Sequence, residues 1–416
     1  MKFSPLILIL ALLQYSCTNN DLLTFTVSAE EYSYLECPVS LDLSMTELDN
    51  YNEIELFEET ENGELKIPFQ IERSGLKPLL WFNLEGELLS GETRSYFIRT
   101  ASPEDDTTSN SIRIVETQDE YQILDQNRSI LNYRKMEMLP PEGVDSLYKR
   151  SGYIHPLWSP GGEILTRIQP PDHYHHYGIW NPWTKTHING REIDYWNLAK
   201  GQGTVRYAGL YFIEEGSLFC KLGVKQEHVD FGSGVSERVN MEEDLHCTYR
   251  GAHRAESRYI LDKSMSYRNI LSDTIIFDAY RYGGGIGFRA TEKWKSENCT
   301  VLTSEGKTRL EADGTKARWC IVEGESSVDG GRSGILFMSH PDNREHPEPM
   351  RVWPLDTNNG EMFFEFCPIR HNEWLILPGK DYTLDYRMVV FDGIMTIEEA
   401  EMYWNGFAYP PAVVVK

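Results

Sequence analysis

Two stretches in the middle of the chain decide the fold: residues 217–230, SLFCKLGVKQEHVD, and residues 236–249, SERVNMEEDLHCTY. Apolar and polar side chains largely alternate along both of them. Successive side chains of a β-strand point to opposite faces, so this alternation predicts long strands with one face on a core. Long antiparallel strands in such number favour a large β-sandwich built from two curved sheets.

The same pattern continues on either side of these stretches. Further strands are predicted at 112–115, 121–124, 130–133, 208–214, 256–262 and 274–282. One helix is predicted, because Thr396 and Glu399 have the spacing of a capping box and helix-forming residues follow to Trp404. Pro410-Pro411 is expected to end the ordered chain. The large β-sandwich is therefore assigned to residues 112–411.

The N-terminal part of the chain predicts a smaller all-β unit. Short strands over residues 24–105 are separated by the turn pairs Asn62-Gly63, Ser74-Gly75 and Ser90-Gly91. This spacing is typical of a small antiparallel β-sandwich. The polar residues 102–111 are interpreted as a linker, so we expect an all-β protein with two domains and one C-terminal helix.

The first 17 residues resemble a bacterial lipoprotein signal peptide. Lys2 precedes an apolar run over residues 3–13, and Ser16-Cys17 closes it. That run is too short to span a membrane. Gln14 stands where such signals usually have leucine, so an ordinary cleaved signal is the alternative. We expect a protein of the bacterial cell envelope, in the periplasm or on the outer membrane, whose membrane contact is a lipid on Cys17.

Net charge and composition indicate which classes of partner the protein can bind. The 416 residues carry a net charge of −24, from 40 basic and 64 acidic residues, which disfavours binding to nucleic acid or anionic membrane surfaces. Aromatic residues make up 12% of the chain, with 10 Trp and 23 Tyr, as is typical of secreted proteins that handle glycans. The sequence does not indicate an oligomeric state.

The remaining six cysteines form no paired cluster, which argues against a cysteine zinc site. Such a large domain does not need disulfides for stability, so most of these cysteines are predicted to be buried free thiols, with room for one bridge. They are Cys37, Cys220, Cys247, Cys299, Cys320 and Cys367.

Three of the eleven histidines, His173, His175 and His176, fall within four positions. Imidazole exchanges protons near neutral pH and binds metals, and the preceding Asp172 can fix a tautomer. These histidines are therefore candidate catalytic residues; a divalent metal site and a purely structural loop are the alternatives. Nearby tryptophans can lie against sugar rings, and the candidate substrate-binding residues are Trp180, Trp183, Asp194 and Trp196.

Two later segments supply further candidates. The segment GGGIGFRATEKW, residues 283–294, begins with glycines that no helix pattern follows. This argues against a nucleotide-binding loop. The glycines can mark the close approach of a ligand, with Arg289 as a clamp and Glu292 as a base; a β-bulge with a surface charge pair is the alternative. In SHPDNREHPEP, residues 339–349, prolines stiffen a loop whose candidate catalytic residues are His340, Asp342, Arg344 and His346. A rigid turn with mutually satisfied polar groups is the alternative.

These motifs together resemble those of a bacterial family often labelled "methane oxygenase PmoA". The segments are DHYHHYGIW at 172–180, GIGFR at 285–289, HPDNREHP at 340–347 and RMVVFDG at 387–393. The resemblance covers about residues 153–411. This chain departs from the family pattern at Tyr174, where proline is common, and at Tyr177, where arginine is common.

The resemblance implies a secreted protein associated with sugar catabolism and a large sandwich of galactose mutarotase-like type. The family label is not taken as a function, because the membrane methane oxygenase has transmembrane helices and this sequence predicts none after the signal peptide. Fold analogy alone says little about the reaction.

Motifs and resemblance together favour a carbohydrate-active enzyme, a glycoside hydrolase or lyase using His/carboxylate acid–base chemistry. The 173–176 loop and the 340–346 loop are expected to be two halves of one sugar-sized pocket. The alternatives are a non-catalytic glycan-binding lipoprotein and a metal-dependent enzyme that uses the histidine cluster.

Overall fold

The computed structural model describes residues 21–46, 48, 51, 53–101, 111–232, 236–251, 257–328 and 330–416. The predicted signal peptide with Cys17, and residues 102–110 of the predicted linker, lie outside the described residues. No helix within these ranges is long and apolar enough to cross a membrane.

The first nine strands lie before residue 101: β1 Leu23–Ser28, β2 Tyr34–Leu35, β3 Pro38–Asp42, β4 Ile54–Thr60, β5 Gly63–Ile67, β6 Phe69–Glu72, β7 Leu79–Asn83, β8 Glu87–Leu88 and β9 Thr93–Thr100.

The central strands include the longest: β10 Ile112–Glu116, β11 Glu120–Asp125, β12 Arg128–Arg134, β13 Tyr153–Leu157, β14 Ile179–Trp180, β15 Thr186–Ile188, β16 Arg191–Ile193, β17 Gly203–Glu214, β18 Phe219–Asp230, β19 Arg238–Arg250, β20 Arg258–Asn269 and β21 Ile275–Phe277.

The C-terminal third continues the strands and contains one α-helix: β22 Ile286–Arg289, β23 Cys299–Thr303, β24 Lys316–Ala317, β25 Trp319–Glu325, β26 Arg332–Ser339, β27 Glu348–Val352, β28 Phe363–Phe366, β29 Trp374–Ile376, β30 Asp381–Asp392, α1 Ile397–Ala408 and β31 Ala412–Val415. Short 3-10 turns lie at Leu43–Met45, Ser146–Tyr148, Leu198–Lys200 and Asn358–Gly360.

The N-terminal strands form their own sheets around their own apolar core. A five-stranded sheet has the order β31-β1-β9-β4-β5, and a three-stranded sheet has the order β3-β7-β6. Buried side chains such as Phe25, Leu56 and Phe82 fill the space between them.

The prediction that ordered structure ends at Pro410-Pro411 is wrong, because a further strand, β31, follows these prolines. The next four residues, Ala-Val-Val-Val, pair with β1 and cover its edge.

The large β-sandwich is built from two main sheets. The eight-stranded sheet has the order β17-β18-β19-β20-β30-β26-β25-β23, and the nine-stranded sheet has the order β10-β11-β12-β13-β14-β22-β28-β27-β24. A four-stranded sheet, β16-β15-β21-β29, adjoins them. The long strands pair antiparallel in register, as β18 with β19 and β19 with β20. The predicted all-β architecture is confirmed, while the domain boundaries at 24–105 and 112–411 stay predictions.

Helix α1 begins at the predicted capping box. Thr396 Oγ1 accepts from the Glu399 amide at 3.1 Å, and Glu399 Oε2 accepts from the Thr396 amide at 2.8 Å. Its buried residues, including Tyr403 and Trp404, pack on the outer face of the eight-stranded sheet beside Leu336. The helix thereby covers one face of the sandwich.

The six described cysteines are all buried and unpaired, which confirms the predicted thiols. The sequence had allowed one disulfide bond, and none is formed among these six cysteines.

One sheet positions the candidate site. On β28, Phe364 points into the sandwich and its ring centroid lies 4.7 Å from that of Phe337 on β26. Because strand side chains alternate, Phe363 points to the opposite face, where its ring lies 5.1 Å from that of His176. The histidine cluster therefore lies on the face of the nine-stranded sheet that is turned away from the eight-stranded sheet.

Candidate functional site

The histidine loop doubles back before β14. Gly178 has a φ of 60°, and a Cβ built on it would lie 2.2 Å from the Ile154 carbonyl oxygen, so only glycine fits this return. The loop brings three imidazoles together. Ring centroids are 4.7 Å apart for His173 and His176, 4.8 Å for His175 and His176, and 5.4 Å for His173 and His175.

His176 forms the floor of this cluster. Its side chain is 1% exposed, and its ring lies 5.3 Å from Trp180, 5.6 Å from Trp196 and 5.5 Å from Trp353 between centroids. Burial lowers the pKa of His176 well below 6.5, and the neighbouring His175 and Arg289 act in the same direction. The imidazole is therefore neutral near pH 7.

His173 is held by a carboxylate that is itself held by an arginine. Its Nδ1 lies 2.8 Å from Asp172 Oδ2, and Arg289 Nη2 lies 3.2 Å from the same oxygen. Arg289 is fully buried, also donates to Glu361, and lies with its guanidinium carbon 4.7 Å from the centroid of the Trp353 ring. Because Nδ1 is engaged, Nε2 of His173 is the nitrogen left for a ligand.

The histidine cleft is a cavity of about 210 Å³ above this cluster. Aromatic side chains of Trp196, Tyr280, Tyr282 and Trp353 line it. Its polar lining comes from His173, His175, His176, Asn197 and Arg281. Burial lowers the pKa of His175 to about 3, with a smaller contribution from His173, so this imidazole is also neutral near pH 7.

Tyr282 is a cleft residue that the sequence reasoning missed. Its hydroxyl oxygen accepts from Arg351 Nη2 at 3.0 Å and from Trp353 Nε1 at 3.2 Å. With both lone pairs engaged, the hydroxyl hydrogen is free to be donated to a ligand. The pattern Tyr-Arg-Tyr before the glycine run at 283–285 was the available signal.

Of the four predicted substrate-binding residues, the structure gives only Trp196 a place on the cleft. Trp183 is fully buried and stacks on Phe277 at 4.3 Å, so it offers no face to a sugar. Asp194 is also fully buried and accepts from the amides of Trp196 and Asn197, which fixes the loop. Trp180 lies beneath His176 with 1% exposure.

Arg289 and Glu292 lie in different parts of the structure, although they are only three residues apart along the chain. Arg289 belongs to the buried network beside the histidine cleft. The Glu292 side chain is 72% exposed and lies 3.5 Å from Arg167, away from the three imidazoles. The preceding glycines serve packing rather than a ligand, because a Cβ on Gly285 would lie 1.7 Å from the Tyr386 hydroxyl.

The 340–346 loop does not face the histidine cleft, so the expectation of one shared pocket is wrong. The His340 ring lies 5.1 Å from Phe407, and the His346 ring stacks on Trp404 at 6.0 Å, both on α1. This loop precedes β27, whereas Trp353 follows β27 and contacts His173 at 4.9 Å. The two loops therefore lie at opposite ends of one strand, roughly 20 Å apart.

The other candidates of this loop make local contacts. Asp342 is 91% exposed and lies 3.6 Å from His340. Arg344 donates to the Glu373 carbonyl at 2.6 Å and packs on Trp374. This is the rigid turn that was the alternative interpretation. Buried Glu348 anchors it by accepting from Asn343 at 2.8 Å, and burial raises the pKa of Glu348 to about 7.

No group of three or more His, Cys, Asp or Glu side chains in the described ranges is arranged to hold a metal ion. The three imidazoles meet as tilted and edge-on rings. Their geometry favours proton transfer or hydrogen bonding over a shared ligand set.

Comparison with solved structures finds carbohydrate enzymes at low similarity. A GH36 α-galactosidase from Geobacillus stearothermophilus matches with a TM-score of 0.34 and 9% identity, over 68% of this chain and 41% of that one. A heparan sulfate lyase from Pedobacter heparinus matches with a TM-score of 0.35 and 9% identity, over 72% and 38%. A galactose mutarotase related enzyme from Lactobacillus acidophilus matches with a TM-score of 0.32 and 10% identity, over 68% and 100%.

The chain spans about two fifths of the length of the first two of these proteins. No curated protein matches its sequence. A family model described as a family of unknown function, DUF6807, matches residues 120–405, which include the histidine loop and every strand of the two main sandwich sheets except β10. The chain therefore belongs to the DUF6807 family.

Proposed function

We propose that this protein is a carbohydrate-active enzyme of the bacterial cell envelope that cleaves a glycan by β-elimination beside a uronic acid. The observation that carries the proposal is the make-up of the histidine cleft. Three imidazoles, of which His175 and His176 are neutral, line it together with Tyr282, Arg281 and aromatic faces. None of its lining side chains in the described part of the chain is a carboxylate. The envelope location rests on the sequence of the N-terminus.

This lining favours elimination over hydrolysis. Glycoside hydrolysis generally uses two carboxylates that are free to act on either side of the scissile bond. Two carboxylates close to the cleft, Asp172 and Glu361, are both bound to Arg289. A third, Asp194, is bound to Lys200. They are therefore committed to an ion-pair network, and the groups left to face a ligand are imidazole, phenol, amide and guanidinium.

Each step of elimination has a candidate group. His173 Nε2 takes the proton from the carbon next to the uronate carboxylate, while Asp172 stabilises the imidazolium that forms. Arg281 and Asn197 donate to the carboxylate as its carbon becomes enolate-like. The bond to the leaving oxygen then breaks, a C=C bond forms in the ring, and Tyr282 donates its proton to the leaving oxygen.

The aromatic side chains that border the cleft are suited to contact with a sugar ring. Trp196 and Trp353 border the cavity, and their indoles present flat apolar surfaces to the C–H face of a sugar. This arrangement also fits a binding protein without turnover, so the assay must detect binding and product separately.

The test is a panel of uronate-containing glycans assayed for both unsaturated products and new reducing ends. We expect both signals together, because elimination produces both. New reducing ends without an unsaturated product would replace elimination with hydrolysis, and binding without either signal would make the protein a glycan-binding lipoprotein.

Two variants test the assigned roles. His173→Gln and Tyr282→Phe should each lower kcat by about 10²- to 10⁴-fold, the usual effect of removing a general acid or base. Tyr280→Phe is the matched control, because Tyr280 lines the same cleft without the hydrogen bond to Arg351. Unchanged kcat in both test variants would contradict the assignment.

A further inference from the structure

We infer that a second cleft beside the histidine cleft binds a neutral sugar unit of the same glycan, an inference that rests on the proposed function. This second cleft, called the Arg167 cleft, has a volume of about 520 Å³. His155, Glu163, Ile164, Arg167, Glu292 and Lys293 are among the residues that line it. None of them lines the histidine cleft.

The charges of the Arg167 cleft favour a neutral ligand. Lys293 is paired with Glu163, and Arg167 lies 3.5 Å from Glu292 and 3.2 Å from Glu361. The two cations and two acidic groups on the cleft wall cancel formally. An anionic ligand would have to displace carboxylates, whereas sugar hydroxyls can use the lone pairs and N–H groups that these ion pairs leave free.

His155 adds a neutral donor to the wall. Burial lowers the pKa of His155 to about 4, so the ring is uncharged near pH 7. Its Nδ1 lies 2.9 Å from Thr166 Oγ1. The same hydroxyl oxygen accepts from the Leu157 amide at 3.0 Å. The threonine hydroxyl can therefore donate to Nδ1, which leaves the ring hydrogen on Nε2 for a ligand oxygen.

An apolar surface completes the Arg167 cleft. Ile164 is 41% exposed, and Ile168 lies on the same wall. Sugars combine a hydroxylated edge with a C–H face, so a wall with both charged pairs and aliphatic side chains suits them.

A continuous set of contacts joins the two clefts. His173 contacts Asp172, Arg289 contacts both Asp172 and Glu361, and Glu361 contacts Arg167. Successive hydrogen-bonding contacts of this kind place the Arg167 guanidinium within about 9 Å of the Asp172 carboxylate. Neighbouring units of one glycan can therefore occupy the two clefts. The substrate class inferred is a heteroglycan in which a uronic acid adjoins a neutral sugar.

The first test measures binding without turnover. A panel of neutral disaccharides, including cellobiose, lactose and xylobiose, is applied to the full chain by saturation-transfer NMR. At least one should bind, and the double variant Glu292→Ala/Lys293→Ala should weaken its affinity at least tenfold. The matched control is Glu55→Ala/Lys66→Ala, an ion pair of the N-terminal sheet at 2.9 Å. Equal affinity in wild type and the Glu292/Lys293 variant would overturn the inference, as would binding of anionic sugars alone.

The second test separates this inference from the proposed function. If elimination occurs, the same double variant should raise KM at least tenfold for a heteroglycan with neutral units and leave KM unchanged for a homopolymeric uronate. If no unsaturated product forms with any glycan, the proposed reaction fails, while the disaccharide measurement still decides the Arg167 cleft. His155→Gln should give an intermediate loss of affinity, and an unchanged affinity would remove His155 from the site.

Discussion

Arg289 Nη2 lies 3.2 Å from Oδ2 of Asp172. Burial alone would raise the pKa of Asp172, but Arg289 and the adjacent His173 outweigh it, so the pKa falls below 3.8. Asp172 therefore stays ionised at neutral pH and orients the imidazole of His173. The buried guanidinium is the charge that holds the candidate base in place.

Replacing Arg289 with glutamine should destabilise the protein and disable the cleft. The change leaves Asp172 and Glu361 without their shared cation, and loss of one partner of a buried ion pair typically costs about 3–5 kcal/mol. Urea unfolding gives the free energy, and glycan affinity gives the effect on the site. Arg268→Gln is the control, because Arg268 is half exposed and pairs on the surface with Asp381. Similar losses in both variants would contradict the role of Arg289.

Stability should fall on acidification below about pH 6.5. His155 and His175 have pKa values lowered by burial to about 4 and about 3, whereas both titrate near 6.5 when unfolded. Between these values the unfolded chain binds more protons, so the free energy of unfolding decreases as pH falls, by up to about 1.4 kcal/mol per pH unit for each histidine.

The measurement is urea unfolding at several pH values between about 7 and 5, on wild type and His175→Gln. The variant should show a shallower decrease, because one buried imidazole is gone. His371→Gln removes an exposed histidine and should leave the slope unchanged. Parallel curves for wild type and His175→Gln would show that His175 does not resist protonation.

The two tryptophans at 183 and 196 should respond differently to truncation. Trp183→Ala removes a core side chain and should cost about 3–5 kcal/mol in unfolding free energy. Trp196→Ala removes a cleft wall and should weaken glycan affinity at least tenfold, at a smaller cost in stability. Calorimetry measures the glycan affinity of each variant, and urea unfolding measures its stability. The reverse pattern would place the ligand elsewhere.

The 340–346 loop should matter for stability rather than for the site. His346 stacks on Trp404 at an interplanar angle of 6°, and such ring pairs contribute about 0.5–1.5 kcal/mol beyond area burial. His346→Ala should therefore lower the free energy of unfolding by about 1–2 kcal/mol and leave glycan binding unchanged. A tenfold loss of affinity in a folded His346→Ala protein would restore the one-pocket hypothesis.

Several features were predictable because their signals are local. Alternation over consecutive residues predicted β18 and β19, and the spacing of Thr396 and Glu399 predicted the start of α1. The density of histidines at 173–176 identified the cleft loop. Each of these signals lies within a single element, where side-chain direction follows directly from backbone period.

The features that the sequence did not predict are contacts between distant segments. The Tyr-Arg-Tyr pattern at 280–282 does not indicate which loop Tyr282 faces, and nothing near Glu361 or His155 marks either residue as part of a site. Trp183 and Trp196 look alike in sequence, yet one fills the core and the other borders a cavity. Their difference depends on which sheet face each segment meets.

The sequence by itself determined an all-β chain with one capped helix and a histidine-rich loop. Strand period and capping depend on neighbours a few residues away, so they can be read along the chain. Only the tertiary structure decided that Arg289, Trp353 and Glu361 join His173, while His346 turns to the helix. Pairing of β22, β27 and β28 places these residues together, and that pairing is a property of the sheet rather than of any one strand.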